Sequence, residues 1–253
     1  MRLLAAVLAL SCLASLVRAQ DVSTLVKQMQ SKDVEVRRAA AERLCEAGPA
    51  GKEAIPTLTA ALADKDKYVR RFAAKALGNI GPDAKGSINA LKMALEDEQD
   101  TVIDAAIVAL GKMGPDATPV LCAFVESDKQ KKDRRRDVAE MIAHMKPADV
   151  SKMAVPMLIK LLKEKDQELK LDAVKDLGRY GADAKPAVII LGDLLKPNNG
   201  DMRRAVMKTL SDIGPAADGA LPALQTLASS DKNEDKPFTK QAEETIKKIK
   251  GTK

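Results

Sequence analysis

The chain has 253 residues, 45% of them hydrophobic, and a formal charge of +6 from 42 Lys and Arg against 36 Asp and Glu. Three Phe, two Tyr and no Trp leave Ala, Leu, Val, Ile and Met to fill the interior, which argues against a thick globular centre and for thin, closely stacked helices. A single histidine, His144, lacks the second histidine that most nucleophilic triads and zinc sites require, and near a helix end it reads as a surface residue.

Met1 to Ala19 has one charge near its start, an apolar run from Leu3 to Val17 and a small-residue cleavage site at Val17-Arg18-Ala19. This is the pattern of a secretory signal peptide. Ser11, Cys12 and Ser15 interrupt the run, and it is short for a spanning helix, which weighs against a retained membrane anchor. Leu10 and Ser11 before Cys12 weigh against a lipoprotein. A cut after Ala19 removes Arg2 and Arg18, leaving 40 cations against 36 anions in a chain that begins at Gln20. That excess of four is mild, so charge alone calls for no nucleic acid. The expected product is secreted or periplasmic, without a transmembrane span.

From Asp21 onward one period recurs. Gly48, Gly81, Gly114, Lys146, Gly181, Gly214 and Gly251 occupy the same position, and Pro follows it at Pro49, Pro82, Pro115, Pro147 and Pro215. A helix therefore stops at each mark. Four residues before the mark stand Leu44, Leu77, Leu110, Ile142, Leu177 and Leu210, and eight before it stand Ala40, Ala73, Ala106, Val138, Ala173 and Val206. This spacing gives the second helix of each repeat an apolar stripe. A first helix follows each Pro, with Ile55, Leu58 and Leu62, then Ile88, Leu91 and Leu95, then Val155, Leu158 and Leu162, then Val188, Leu191 and Leu195. Asp33, Asp66, Asp166 and Asn199 sit where second helices need N-caps; Gln99 and Lys131 break that rule. Repeat four departs most, with Lys146 at the mark and an expected short first helix. At the end of the chain, Phe238, Ala242, Ile246 and Ile249 share one face of a Lys-rich closing helix.

These features predict an all-α fold, an α-solenoid with a right-handed superhelix, built from about seven antiparallel helix pairs at 21–48, 53–81, 86–114, 118–146, 151–181, 186–214 and 219–251. Residues 20–253 then form a single repeat domain. The run Ile55-Pro56 through Leu62, Asp66, Val69-Arg70, Ala73-Ala74, Ala76-Leu77-Gly78 and Ile80-Gly81-Pro82 resembles the HEAT-repeat family, in the short bacterial form of phycobilisome lyase-like repeats. The resemblance implies a scaffold, which serves many tasks in that family.

Cys45 and Cys122 fall in the first and fourth repeats. At about 9–10 Å per packed layer they stand nearly 30 Å apart, beyond disulfide reach, and read as small buried thiols. No GxxxxGK phosphate loop occurs, and acidic pairs such as Asp64 with Asp66 read as caps rather than metal ligands. No cofactor, metal or catalytic residue is expected.

The helical wheel places Arg38, Arg71, Asp104, Arg136, Leu171 and Arg204 opposite the stripe, with Glu42, Lys75, Val108, Glu140, Lys175 and Lys208 one turn later. Arg38, Arg71, Val108, Arg136, Leu171, Lys175, Arg204 and Lys208 thus form a candidate concave surface with a basic bias, suited to a protein partner, acidic if charge decides. For the neighbouring row Arg37, Arg70, Arg135, Lys170 and Arg203, the resemblance to HEAT repeats implies pairing with the capping Asp of an adjacent repeat, a structural ladder rather than a binding site. Lys129, Lys131, Lys132, Arg134 and Arg135 form the densest basic cluster, at the start of a helix where positive charge opposes the dipole. The function expected is a monomeric, exported, non-catalytic scaffold. A lyase-type or chromophore-attachment factor and a rigid spacer in an envelope assembly are the alternatives.

Overall fold

The computed structural model describes residues 22–196 and 199–251; the leader, 1–19, lies outside them. All regular structure among the described residues is helical. Residues 22–28 form α1, followed by α2 (Val34–Ala47), α3 (Ile55–Ala61), α4 (Lys67–Ile80), α5 (Ile88–Ala94), α6 (Asp100–Met113) and α7 (Thr118–Glu126). Then come α8 (Lys132–Ala143), α9 (Pro147–Leu161), α10 (Gln167–Leu177), α11 (Val188–Asp193), α12 (Gly200–Ile213), α13 (Leu221–Ala228) and α14 (Lys236–Lys250). They follow one another as first and second helices of successive pairs. The chain divides into two compact units between Val120 and Leu121. In the N-terminal unit α2, α4 and α6 lie side by side, and in the C-terminal unit α8, α10, α12 and α14 do. No helix among the described residues is long and apolar enough to cross a membrane.

The repeat mark is a backbone switch. Gly48, Gly81, Gly114, Gly181, Gly214 and Gly251 are the described glycines with positive φ. At Gly81, φ is 78° and ψ −141°, a conformation that a side chain makes costly. Lys146 instead has φ −61° and ψ 123°, so the chain leaves α8 without the reversal. The difference carries into the next helix. After Gly48, Gly81 and Gly214 the chain makes a 3-10 turn of seven residues before the α-helix starts. After Lys146, α9 runs unbroken for 15 residues. The first helix of repeat four is not short: α7 has nine residues, against seven in α3 and α5. What is abbreviated there is the turn before it, Pro115–Ala117.

The core is the stripe read from the spacing. Leu44, Leu77, Leu110, Ile142, Leu177 and Leu210 are all fully buried, each contributing roughly 1.5–3 kcal/mol. Small residues let neighbouring second helices approach closely: a Cβ at Gly78 of α4 would stand 2.7 Å from Ala109 Cα of α6. Helix starts follow the cap residues. Asp33, Asp66, Asp166 and Asn199 each accept from backbone N–H groups at the start of their helices, whereas Gln99 and Lys131 make no such bond. α14 packs on α12 and α13, burying Phe238, Ala242, Thr245 and Ile249.

Candidate functional site

The second helices carry two rows of cations, and each meets a different carboxylate. Arg37 donates to Asp64 through Nε and Nη2 at 2.8 and 3.1 Å, and Arg70 repeats this fork on Asp97 at 2.6 and 3.0 Å. Each also donates to two backbone carbonyls of its own turn. Buried Arg135 bonds Glu164 at 2.7 Å and the Val125 carbonyl at 2.6 Å. Arg203 lies 2.8 Å from Asp235 and donates to the Leu195 carbonyl. Arg37, Arg70 and Arg135 thus pair with a carboxylate two residues ahead of the next N-cap position rather than with the capping residue that the resemblance implies, whereas Arg203 does meet the N-cap residue, Asp235 of α14. The capping Asp is met by other cations: Asp66 by Arg38 at 2.6 Å and Asp166 by Lys132 at 2.8 Å. Those hydrogen bonds, joined by backbone N–H donors, hold both carboxyls down at about 2. Ile103 interrupts the row in α6, and Lys170 makes no ion pair among the described residues.

The basic cluster does not form one patch. Arg135 is buried at 5% exposure, Lys132 holds the α10 cap, and Lys129, Lys131 and Arg134 lie around the start of α8.

The candidate partner surface divides between the units. In the N-terminal unit, Arg38 stacks 4.9 Å over the Tyr68 ring while bonded to Asp66. Arg71 lies over its neighbour Phe72, and Val108 is 47% exposed on α6. In the C-terminal unit, Arg136, Leu171, Lys175, Arg204 and Lys208 come together in one groove of about 1390 Å³ lined by α8, α10 and α12, with Arg179 just beyond α10 and Gln241 of α14 at its edge.

The groove is not basic. Arg136, Lys175, Arg179, Arg204 and Lys208 face Asp133, Asp137, Glu140, Asp172, Asp176, Asp201 and Asp212. A reading of two positions per repeat misses most of these acids because they stand in the adjacent rows. The position nine before the mark is Ala39, Phe72 and Ala105 in the N-terminal repeats but Asp137 and Asp172 in the next two, and that change of residue type was the available signal.

Every groove cation is held. Arg136 bonds Asp172 at 2.7 Å and Glu168 at 2.9 Å. Lys175 lies 3.5 Å from Asp172 and Arg179 3.5 Å from Asp176. Arg204 bonds Asp201 at 2.9 Å, and Lys208 bonds Asp212 at 2.6 Å. By contrast, Asp133, Asp137 and Glu140 are exposed and make no ion pair among the described residues. Asp176, only 8% exposed, is pushed up to about 6 by burial, with Arg179 opposing and Asp172 and Glu140 adding to the rise.

Elsewhere, His144 is exposed and its Nδ1 lies 2.8 Å from the Glu140 carbonyl oxygen of its own helix. Both cysteines are free; Cys45 is half-buried rather than buried, while Cys122 is buried and its thiol is pushed up to about 11 by burial.

Stacked helix pairs joined by repeated interhelical ion pairs define a helical repeat protein. The HEAT-repeat profile matches residues 22–111, 55–143 and 155–245, and the chain belongs to the HEAT-repeat family. Among solved structures, an engineered protein is similar over 92% of this chain and 69% of its own, at 21% identity and a TM-score of 0.55. An archaeal HEAT-like repeats protein from Thermococcus onnurineus NA1 is similar over 89% of this chain and 98% of its own, at 14% identity and a TM-score of 0.53. The complex of CpcE and CpcF of phycocyanin lyase from Nostoc sp. PCC7120 is similar at 21% identity and a TM-score of 0.47, over 91% and 94% of the two chains. These likenesses concern the fold alone. No curated protein matches the chain.

Proposed function

We propose that the chain is exported and acts as a non-catalytic scaffold that holds a protein partner in the groove between α8, α10 and α12. One observation carries this reading: the groove collects charged side chains fixed on three parallel-stacked second helices around the half-buried apolar Leu171. Charges locked in pairs on rigid helices orient a partner's side chains without a reorganisation cost, which favours specific recognition. Export is supported by the leader, and a chain recovered from its native cells should have a mass that begins at Gln20.

The test of binding uses two matched substitutions in the mature chain. Leu171→Arg places a bulky cation in the groove, and Met93→Arg places the same cation at a 70% exposed site on α5. In affinity capture from envelope extract, a partner held in the groove is retained by the unaltered chain and by Met93→Arg, and lost from Leu171→Arg. Equal retention by all three sinks the groove reading, provided both variants keep the unaltered melting temperature.

A further inference from the structure

We infer that the N-terminal unit carries a second binding surface, in which Arg71 takes an Asp or Glu side chain from an acidic, apolar-bearing segment of a protein partner. This does not rest on the groove reading, since all the residues involved belong to the other unit. Its origin is a carboxylate missing from the repeat. Arg38 of α2 forks onto Asp66, the N-cap of α4, at 2.9 and 2.6 Å. One repeat later Arg71 stands at the Arg38 position, and Gln99 stands where Asp66 would be. Gln99 carries no charge and makes no side-chain cap bond. Arg136 and Arg204, at the same register in the C-terminal unit, bond carboxylates at 2.7 and 2.9 Å. Arg71 meets none, and its guanidinium makes no hydrogen bond among the described residues.

The Arg71 side chain is nonetheless held. It is half-buried and lies 5.3 Å over the Phe72 ring, an attraction that keeps the group in place while leaving its N–H donors open. A half-buried fork without an acceptor is an incomplete site, and a carboxylate completes it with two parallel hydrogen bonds.

The surroundings suit such a segment. Lys112 Nζ donates to Asn79 Oδ1 at 2.8 Å, which sets equivalent residues of α4 and α6 side by side. One turn back along both helices, that register puts Lys75 beside Val108, and a further turn back it puts Arg71 beside Asp104. Lys75 makes no ion pair among the described residues, Lys112 meets the neutral Asn79 amide, and Asp104 does not pair with Arg71. Val108, 47% exposed, offers contact to an apolar residue of the same segment. The chain without its leader carries four more cations than anions, which favours the approach of an acidic segment at low salt.

The experiment is fluorescence anisotropy on the mature chain with a labelled peptide of three Glu-Ala-Leu-Gly units. The same peptide with Gln for Glu, and inorganic polyphosphate, serve as comparisons. Gln99→Asp restores the missing carboxylate, which then takes Arg71 internally as Asp66 takes Arg38. It leaves every cation in place and supplies a cap to α6, so an unchanged or raised melting temperature separates weaker binding from lost folding. Arg71→Gln removes the fork, and Asn89→Asp adds the same charge as Gln99→Asp at an exposed site on α5. The expected result is binding of the Glu peptide and not of the Gln peptide. It is weakened roughly tenfold by Gln99→Asp and by Arg71→Gln, and by less than about twofold by Asn89→Asp. Leu171→Arg, in the other unit, leaves it unchanged, so failure of the groove test and failure of this one are distinct. Several results overturn the proposal: no binding of the Glu peptide, equal binding of the Gln peptide, or equal weakening by Gln99→Asp and Asn89→Asp. Loss of the peptide from Leu171→Arg places it in the groove and overturns it too, as does polyphosphate displacing the peptide at a lower concentration of charge than unlabelled peptide does.

Discussion

In the N-terminal unit, α4 starts on Asp66, which caps two backbone N–H groups and is clasped by Arg38, and it stops at Gly81 in a reversed backbone conformation. In the C-terminal unit, α8 starts at Lys131 with no side-chain cap and runs into Lys146 without a reversal. The first helix obeys every rule of the repeat, and the second breaks the rules at both ends. It is also the helix that carries three exposed acids without ion pairs into a groove. Residues that serve the stack are fixed by it; where the pattern relaxes, side chains are free to serve something else.

The largest expected effect tests whether the arginine ladder is structural. Arg203 is 3% exposed and Asp235 7%, so Arg203→Met takes from Asp235 its buried ionic partner, leaving it the Ser230 hydroxyl, and takes the guanidinium donor from the Leu195 and Glu234 carbonyls. It should cost about 3–5 kcal/mol in chemical denaturation. A loss below about 1 kcal/mol would show that the ladder does not hold the unit together.

The mark position gives the next test, because one substitution has different consequences in the two units. Gly81→Ala forces a side chain into φ 78° and should cost about 1–3 kcal/mol. Lys146→Ala, at φ −61°, should change the melting temperature little. Equal losses would mean that the two helix ends are alike.

Asp176 supplies a prediction with a sign. Its folded range is raised above that of the unfolded chain, so the unfolded chain releases its proton first as pH rises. Below about 4 both states are protonated and there is no penalty. From there to about 6 stability falls, and above 6 the penalty is complete. Asp176→Asn should therefore stabilise the protein by roughly 1–2 kcal/mol at pH 7 and hardly at all at pH 4, read from melts at the two pH values. The capping carboxylates run the other way. Asp66 and Asp166, held at about 2, contribute stability above the ordinary carboxylate range that is lost as pH falls through it.

The smallest effect repairs an irregularity: Gln99→Asp supplies the cap that α6 lacks and should gain about 0.5–1 kcal/mol.

The repeat was legible because the same demand recurs at fixed spacing. Leu77 and Leu110 declare a buried stripe, and Gly81 followed by Pro82 declares a stop, since few residues satisfy those backbone and packing requirements. The groove was legible only by half. Arg136, Leu171, Lys175, Arg204 and Lys208 stood out as a row, but a row says nothing of which side chains neighbouring helices bring against it. Asp172 reaches Arg136 from another repeat, so the charge of that surface depends on interhelical distances rather than on sequence spacing. The ladder partners were misassigned for a related reason. Asp64 and Asp66 are two residues apart, and only the turn geometry decides which one Arg37 reaches.

The most direct test of the binding groove is site-specific photocrosslinking in native cells, with a benzophenone side chain at Leu171 or, as control, at Ile189, which is 63% exposed on α11 of the same unit. The account predicts one discrete crosslinked partner from position 171 and none from position 189. The same partner from both positions, or from position 189 alone, would contradict it.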